Sequence, residues 1–429
     1  MNCISSFKAK GILCLSVAWC AACAEPVAES PAASDPLHYR IDYIVTADPV
    51  ANAVDVRLEL SQDRALLREV TMRPDSRVSE FEADGDLQIG DGEVRWRPPA
   101  AGGTMRWRVS VPQQRNGGGY DAWLDIDWGL FRAEDIVPRA RTRTLKGAQS
   151  DTRMTFRLPR DWSVVSQYYA KDGQFRVANP ARRFDQPSGW IVLGKLGVRR
   201  ETIAGIRVAV AGPVRSSVRR MDTLAFLNWT LPELARLLPE MPSRLTIVSA
   251  GEPMWRGGLS APQSLFVHAD RPLISENATS TLLHEVLHVL LGLSAKDGYD
   301  WIVEGLAEYY SLEILNRSGT ISNSRLAAAK AQLAEWATSA KTLCGRASTG
   351  PTTALAVGIF AALDDEIRGS SGGKTNLDDV VSELSRTDTS IDLASLIAIV
   401  DSLLGDNSDV LHIDKLPGCR NITADDQET

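Results

Sequence analysis

Histidine is scarce in this chain: there are five in 429 residues, at positions 38, 268, 284, 288 and 412. Any site built on imidazole must therefore draw on very few residues. Cysteine is scarcer than its count of six suggests, because Cys3, Cys14, Cys20 and Cys23 all precede residue 25 and only Cys344 and Cys419 follow. A multiply bridged scaffold is excluded, and one disulfide is the most the body of the chain can form. Tyrosine stops at Tyr310. Beyond the N-terminus no run approaches the ~20 apolar residues that cross a bilayer as a helix. Positive charge is not in excess either: 47 Lys and Arg against 54 Asp and Glu give a net charge of −7. That balance argues against nucleic acid as a partner, and the one basic cluster, residues 139–146, reads as a solvated loop. No internal repeat is evident.

What is present begins with an export signal. Lys8 and Lys10 precede an apolar stretch over 11–22 that is too short to span a bilayer. Ala22-Cys23-Ala24 offers a small-x-small cleavage site before Glu25, making residues 1–24 a signal peptide. Alternatively Ala21-Ala22-Cys23 resembles a bacterial lipobox, with Cys23 lipidated, although Cys20 stands where an aliphatic residue is usual. The expected location is the periplasm or cell envelope, with membrane contact only through that anchor. Residues 25–36 form a Pro/Ala/Ser linker. In an exported chain the pair Cys344 and Cys419 is expected to be bridged.

The mature length of roughly 400 residues implies two domains. Residues 37–213 alternate with period two, as in 38–45, 54–60, 105–111, 154–158 and 206–210, with Gly- and Asp-rich turns between. This predicts an antiparallel, sandwich-like N-terminal domain. Its tryptophans read as core or sheet surface, and 117–137, which holds Trp123 and Trp128, reads as an irregular loop. From residue 214 to 420 the pattern becomes mainly helical, with helices predicted at 221–238, 301–316, 322–337, 353–368, 377–384 and 393–404. Strand-like segments at 244–250 and 264–268 interrupt it. The polar end, 421–429, reads as a flexible tail.

Within that second half stands His284-Glu285-Val286-Leu287-His288 in an apolar helical run. Residues four apart lie about one turn apart on one helix face, so both imidazoles can reach one metal ion. A catalytic zinc takes three protein ligands and leaves one position for water. Glu285 can approach that water as general base. Glu304, near the start of the next helix, is the candidate third ligand for one Zn²⁺ per chain. Glu308, four residues on, can accept a hydrogen bond from a ligand imidazole. His268 reads as structural, because the ligand set is complete without it.

The segment Trp301-Ile302-Val303-Glu304-Gly305-Leu306-Ala307-Glu308-Tyr309-Tyr310, following H-E-V-L-H, resembles the W-x-x-E-G-x-x-x-Y-Y signature of gluzincin zinc peptidases. It is most similar to the glycyl aminopeptidase family and more distantly to aminopeptidase N. Residues 363–381 resemble that family's L-D-x-x-I-R…G-G-x-x-x-L-D-D-V segment. The resemblance implies an α+β chain with a thermolysin-like catalytic domain, zinc, and hydrolysis of a peptide or protein substrate. It also implies that Gly257, Gly258 and Leu259 lie along the cleft and bind substrate backbone. Ser260 and Ala261 occupy the place where aminopeptidases carry an acid that grips the substrate amine, so exopeptidase specificity does not carry over. The family's oxyanion tyrosine falls near Thr353 or Leu355, neither of which is a tyrosine. His412, or Tyr309 or Tyr310, is a candidate replacement; a donor that the sequence does not reveal, or a weak or inactive enzyme, is the alternative. Two other readings remain open: an envelope protein that keeps the zinc helix without turnover, and a zinc hydrolase of a non-peptide amide or ester.

Overall fold

The alternation in the N-terminal half becomes a seven-stranded sheet. In the strands His38–Asp48, Ala53–Ser61 and Gly102–Ser110, every second residue (Ile41, Tyr43, Val45; Val54, Val56, Leu58; Met105, Trp107, Val109) is buried. The three pair antiparallel, and Gln149–Arg157 joins His38–Asp48 in parallel, the one departure from antiparallel order in this sheet. These features come from a computed structural model that describes residues 37–179, 183–387 and 389–420. The expected signal, Cys23, the 25–36 linker and the 421–429 tail lie outside the described residues.

The stretch 117–137, expected to be irregular, is ordered instead. Tyr120–Leu124 and Trp128–Arg132 are paired strands, followed by a helical turn at Ala133–Ile136. The Asp125 carboxylate closes the turn between them by accepting from the N–H groups of Asp127 and Trp128. Gly129, Leu130 and Phe131 are all buried, so the second strand has no period-two pattern for sequence to display.

A second of the four sheets among the described residues, with five strands, carries the other half. Its order is Leu196–Ile203, Ile206–Pro213, Arg244–Ala250, Ser264–His268 and Gly258–Ala261. The first pair and the last pair are antiparallel, and the middle pairs are parallel. Strands from 196 to 213, which sequence groups with the N-terminal domain, are thus hydrogen-bonded into this sheet. The expected boundary at 213 does not coincide with a change of sheet.

Helices follow as Arg220–Leu237, Thr281–Leu291, Asp300–Arg317, Asn323–Ala337, Pro351–Ser371, Leu377–Leu384 and Leu393–Leu404. In the first of them Leu227, Leu231 and Leu234 are fully buried, and they share one apolar core with the sheet and the later helices. Full burial of such a side chain stabilises by ~1.5–3 kcal/mol. Cys344 and Cys419 are joined by a disulfide that spans 75 residues. Among the described residues no helix is long and apolar enough to cross a membrane.

Candidate active site

The helix Thr281–Leu291 is fixed at both ends. Ser280 caps its start by accepting from Leu283 N–H, and Gly292 ends it in the left-handed conformation at φ 62°. Between these caps Leu283, Val286 and Leu287 are fully buried, which fixes the helix rotation and turns His284 and His288 to the opposite, half-buried side. Their Nε2 atoms lie 3.0 Å apart.

Glu304 approaches from the helix Asp300–Arg317, and its neighbour explains how. A Cβ on Gly305 would stand 2.5 Å from Ala356 Cβ and 2.9 Å from Phe360 Cε2. Only glycine lets this helix seat so closely on Pro351–Ser371. The tyrosines midway along it are tied down as well. Tyr309 donates to Asp364 and Tyr310 to Asp378, the latter at 2.9 Å, and Arg317 also pairs with Asp378. Both aspartates belong to the 363–381 segment, whose role in this chain is to anchor the helix that presents Glu304.

Glu304 Oε2 lies 3.2 Å from His284 Nε2, and Oε1 lies 3.3 Å from His288 Nε2. Tetrahedral zinc with bonds of about 2.0–2.1 Å would set its ligand atoms about 3.3–3.4 Å apart. The three side chains therefore fit the ion with little rearrangement, and among the described residues they form the one cluster close enough to hold a metal. The Glu308 carboxylate accepts from His284 Nδ1–H at 2.9 Å, which leaves Nε2 as the atom turned to the cluster. Burial alone would lower the His284 pKa, but hydrogen bonds to Glu304 and Glu308 hold it up at about 10. Burial would raise Glu304, yet the two imidazoles hold it down at about 2. Carboxylates that retain a proton this firmly on His284 would equally favour a dication in its place.

Glu285 is only 8% exposed. Burial raises its pKa, partly opposed by His284, His288 and a hydrogen bond from the Ser260 backbone N–H. Gly258 lies directly against it: a Cβ there would stand 2.6 Å from Glu285 Cγ and 2.8 Å from Thr281 Cγ2. His268 N–H donates to Gly257 C=O, so by antiparallel alternation Gly258 and Ser260 turn their backbone groups to the outer edge of the sheet. Gly257 makes room for the Trp255 ring, and Leu259 C=O accepts from Trp190 Nε1. The Gly257-Gly258-Leu259 stretch thus borders Glu285.

None of the three expected oxyanion donors lines the cavity beside the cluster. His412 is exposed at the start of a short 3-10 turn, where its Nδ1 accepts from Asp414 N–H. Its turn is bound through Ser408 and Asp409 to Glu366, near the C-terminal end of Pro351–Ser371, whereas the metal cluster faces that helix's N-terminal end. His412 is thus fastened toward the other end of that helix from the metal cluster. Tyr309 and Tyr310 are buried and committed to their aspartates. His268 is buried, with Nδ1 accepting from Asp270 N–H and Nε2 without a partner among the described residues.

A cavity of about 560 Å³ opens beside His284, Glu304 and Glu308. Thr353, at one of the two positions indicated for the family tyrosine, lines it, and its hydroxyl lies 3.1 Å from that of Ser348. Ala329, Leu333 and Trp336 form an apolar wall. Ser348 is held by its N–H donating to Asp300 at 2.7 Å. Sequence reasoning missed this wall and Ser348, because they come from a helix with a single buried residue and from a loop without periodicity. The Ser260 N–H was also missed, and a backbone donor leaves no residue-type signal.

No protein-family profile and no curated protein matches the chain. Solved structures do. An aminopeptidase N family protein from Idiomarina loihiensis aligns with TM-score 0.61 and 18% identity over 90% of this chain and 75% of its own. An M1 zinc metallopeptidase from Deinococcus radiodurans, solved with a Tyr-Ser-Ala substrate, gives 0.55 and 16% over 88% and 92%. Leukotriene A4 hydrolase from Saccharomyces cerevisiae gives 0.53 and 16% over 87% and 66%. At these identities the likeness establishes the fold: this chain has the architecture of the M1-type zinc metallopeptidases and bears a distant resemblance to the gluzincins.

Proposed function

We propose that the chain is an exported zinc peptidase that hydrolyses peptide bonds. One observation carries the reading beyond metal binding. Glu285 takes no part in holding the cluster, yet it is buried beside it, enclosed by Gly258 and oriented by the Ser260 N–H. A site that only stored a metal would gain nothing from burying that carboxylate, which is costly. Export rests on the signal-like residues 1–24.

His284, His288 and Glu304 would hold one zinc per chain, which when bound supplies Lewis acidity and makes a nearby water a nucleophile at neutral pH. Glu285 accepts that water's proton and later delivers it to the departing amine. Glu308 keeps His284 in the correct tautomer. The outward backbone groups of Gly258 and the Ser260 C=O pair with an extended substrate as an added strand. A side chain next to the cleaved bond enters the cavity walled by Ala329, Leu333 and Trp336. Thr353 and Ser348 supply the hydroxyls nearest to where a tyrosine would act.

One observation favours a peptide-binding protein without turnover: among the described residues neither His412 nor a tyrosine faces the cavity. Digestion of a mixed peptide library by the zinc-loaded protein separates the two. Cleavage that stops with chelator and returns with zinc supports the peptidase. Peptides retained uncut by zinc-loaded protein support the binding protein and overturn the proposal.

A further inference from the structure

A second cavity, of about 620 Å³, lies between residues 164–170 and one face of the second sheet, away from the metal cluster. Three arginines line it. Arg207 and Arg244 are direct register partners on neighbouring parallel strands. Arg200 pairs with Ala209, one row along, and Ala209 pairs in turn with Thr246. Directly opposed residues and residues two apart share a face of a sheet, so these four side chains rise together. Like charges placed side by side in a sheet are destabilising.

Elsewhere the chain neutralises such charges. Arg97 pairs with Glu69 and Asp86, and Arg108 with Asp48 and Asp55. Among the described residues no carboxylate forms an ion pair with Arg200, Arg207 or Arg244. Arg244 is instead positioned by uncharged groups: it donates to Gln167 C=O at 2.8 Å and its guanidinium carbon lies 6.0 Å from the centre of the Tyr169 ring. Deeper in the cavity Thr246, only 4% exposed, has a hydroxyl with no partner among the described residues. Ser166 beside it accepts from Tyr168 N–H, and its own proton is free to donate.

Glu201 is the one acidic residue lining this cavity. Three guanidiniums against one carboxylate leave two positive charges uncompensated, the complement of a phosphomonoester at about −1.5 to −2. Guanidinium forks bind such oxygens in bidentate fashion. Val164 and Phe175 add an apolar wall for whatever carries the phosphate. We propose that this cavity is a binding site for a phosphomonoester, gripped by Arg200, Arg207 and Arg244 over the Thr246 hydroxyl. The site is independent of the peptidase reading, because none of its residues lines the metal cavity.

The test uses the full chain, with glycerol 3-phosphate titrated calorimetrically and vesicles of phosphatidylcholine with and without phosphatidic acid in a flotation assay. Saturable binding that weakens with salt is expected, with Arg207→Gln and Arg244→Gln each weakening it ~10–100-fold and leaving zinc content unchanged. Binding of glycerol 3-phosphate identifies a soluble ester as ligand, and binding of phosphatidic acid vesicles alone identifies a lipid phosphate. If Arg244→Gln fails to fold, the exposed Arg207 carries the test. Binding of neither probe, or equal binding by wild type and Arg207→Gln, overturns the proposal.

Discussion

Replacing Gly258 by alanine should disable catalysis without removing the metal. The added Cβ would stand 2.6 Å from Glu285 Cγ, 2.8 Å from Thr281 Cγ2 and 3.0 Å from Glu285 Oε1. Carbon atoms settle at about 3.5–4.0 Å, so roughly 1 Å must be found. Thr281 sits in the first turn of a capped helix and yields little. Either Glu285 swings aside, or the edge strand retreats and takes the Ser260 N–H with it. A displacement of about 1 Å at reacting groups can cost ~10²-fold in rate. Overpacking of this kind should also cost about 1–3 kcal/mol of stability. The zinc ligands make none of these contacts, so metal content should hold. Steady-state hydrolysis of a cleaved library peptide, metal analysis and thermal melting on one preparation check all three. A Gly258→Ala protein with wild-type kcat and full zinc would refute the reasoning, since the carboxylate at 285 could then move without consequence.

Removing the Glu308 carboxylate (Glu308→Ala) should weaken zinc binding or activity by about 10–100-fold, since His284 Nδ1–H loses its acceptor; competition against a chromogenic chelator reads the affinity, and an unchanged value would remove Glu308 from the site. Replacing Cys344 and Cys419 together by serine should cost about 4 kcal/mol, because the bridge closes a 75-residue loop in the unfolded chain. Equal denaturation midpoints for oxidised wild type and the double variant would contradict that. Asp392 caps the helix Leu393–Leu404 and pairs with Lys296; burial would raise its pKa, but these hydrogen bonds hold it at about 2. A carboxylate depressed in the folded state stabilises above its unfolded value near ~4 and loses that contribution as pH falls through about 2. Asp392→Asn should therefore flatten the stability profile between those limits, and parallel profiles for the two proteins would count against it.

The sequence revealed the metal cluster because its geometry is local. Spacing of four places His284 and His288 on one face whatever else the chain does, and Glu304 with Glu308 repeats that spacing on the next helix. The helices 377–384 and 393–404 were legible to the residue, since Asn376 and Asp392 are capping residues that begin amphipathic runs. The strand 128–132 was not, because its residues 129–131 are buried in succession beside a tight turn and show no alternation.

What failed at the site failed for a related reason. His412 stands out in the sequence as a lone late histidine near several aspartates, but only the hydrogen bonds of Ser408 and Asp409 to Glu366 reveal where its turn is fastened. Tyr309 and Tyr310 lie next to the glutamates in sequence, yet on the helix they point into the core toward Asp364 and Asp378. The Ser260 backbone donor and the Trp336 wall depend on long-range packing between elements that carry no shared pattern.

The central claim is that His284, His288 and Glu304 hold the zinc while Glu285 performs the proton transfer. Zinc content and peptide hydrolysis measured together on Glu285→Gln test it most directly. The account predicts one zinc per chain, as in wild type, with hydrolysis reduced by about 10²–10⁴-fold. Hydrolysis at the wild-type rate, or loss of the zinc along with the activity, would contradict it.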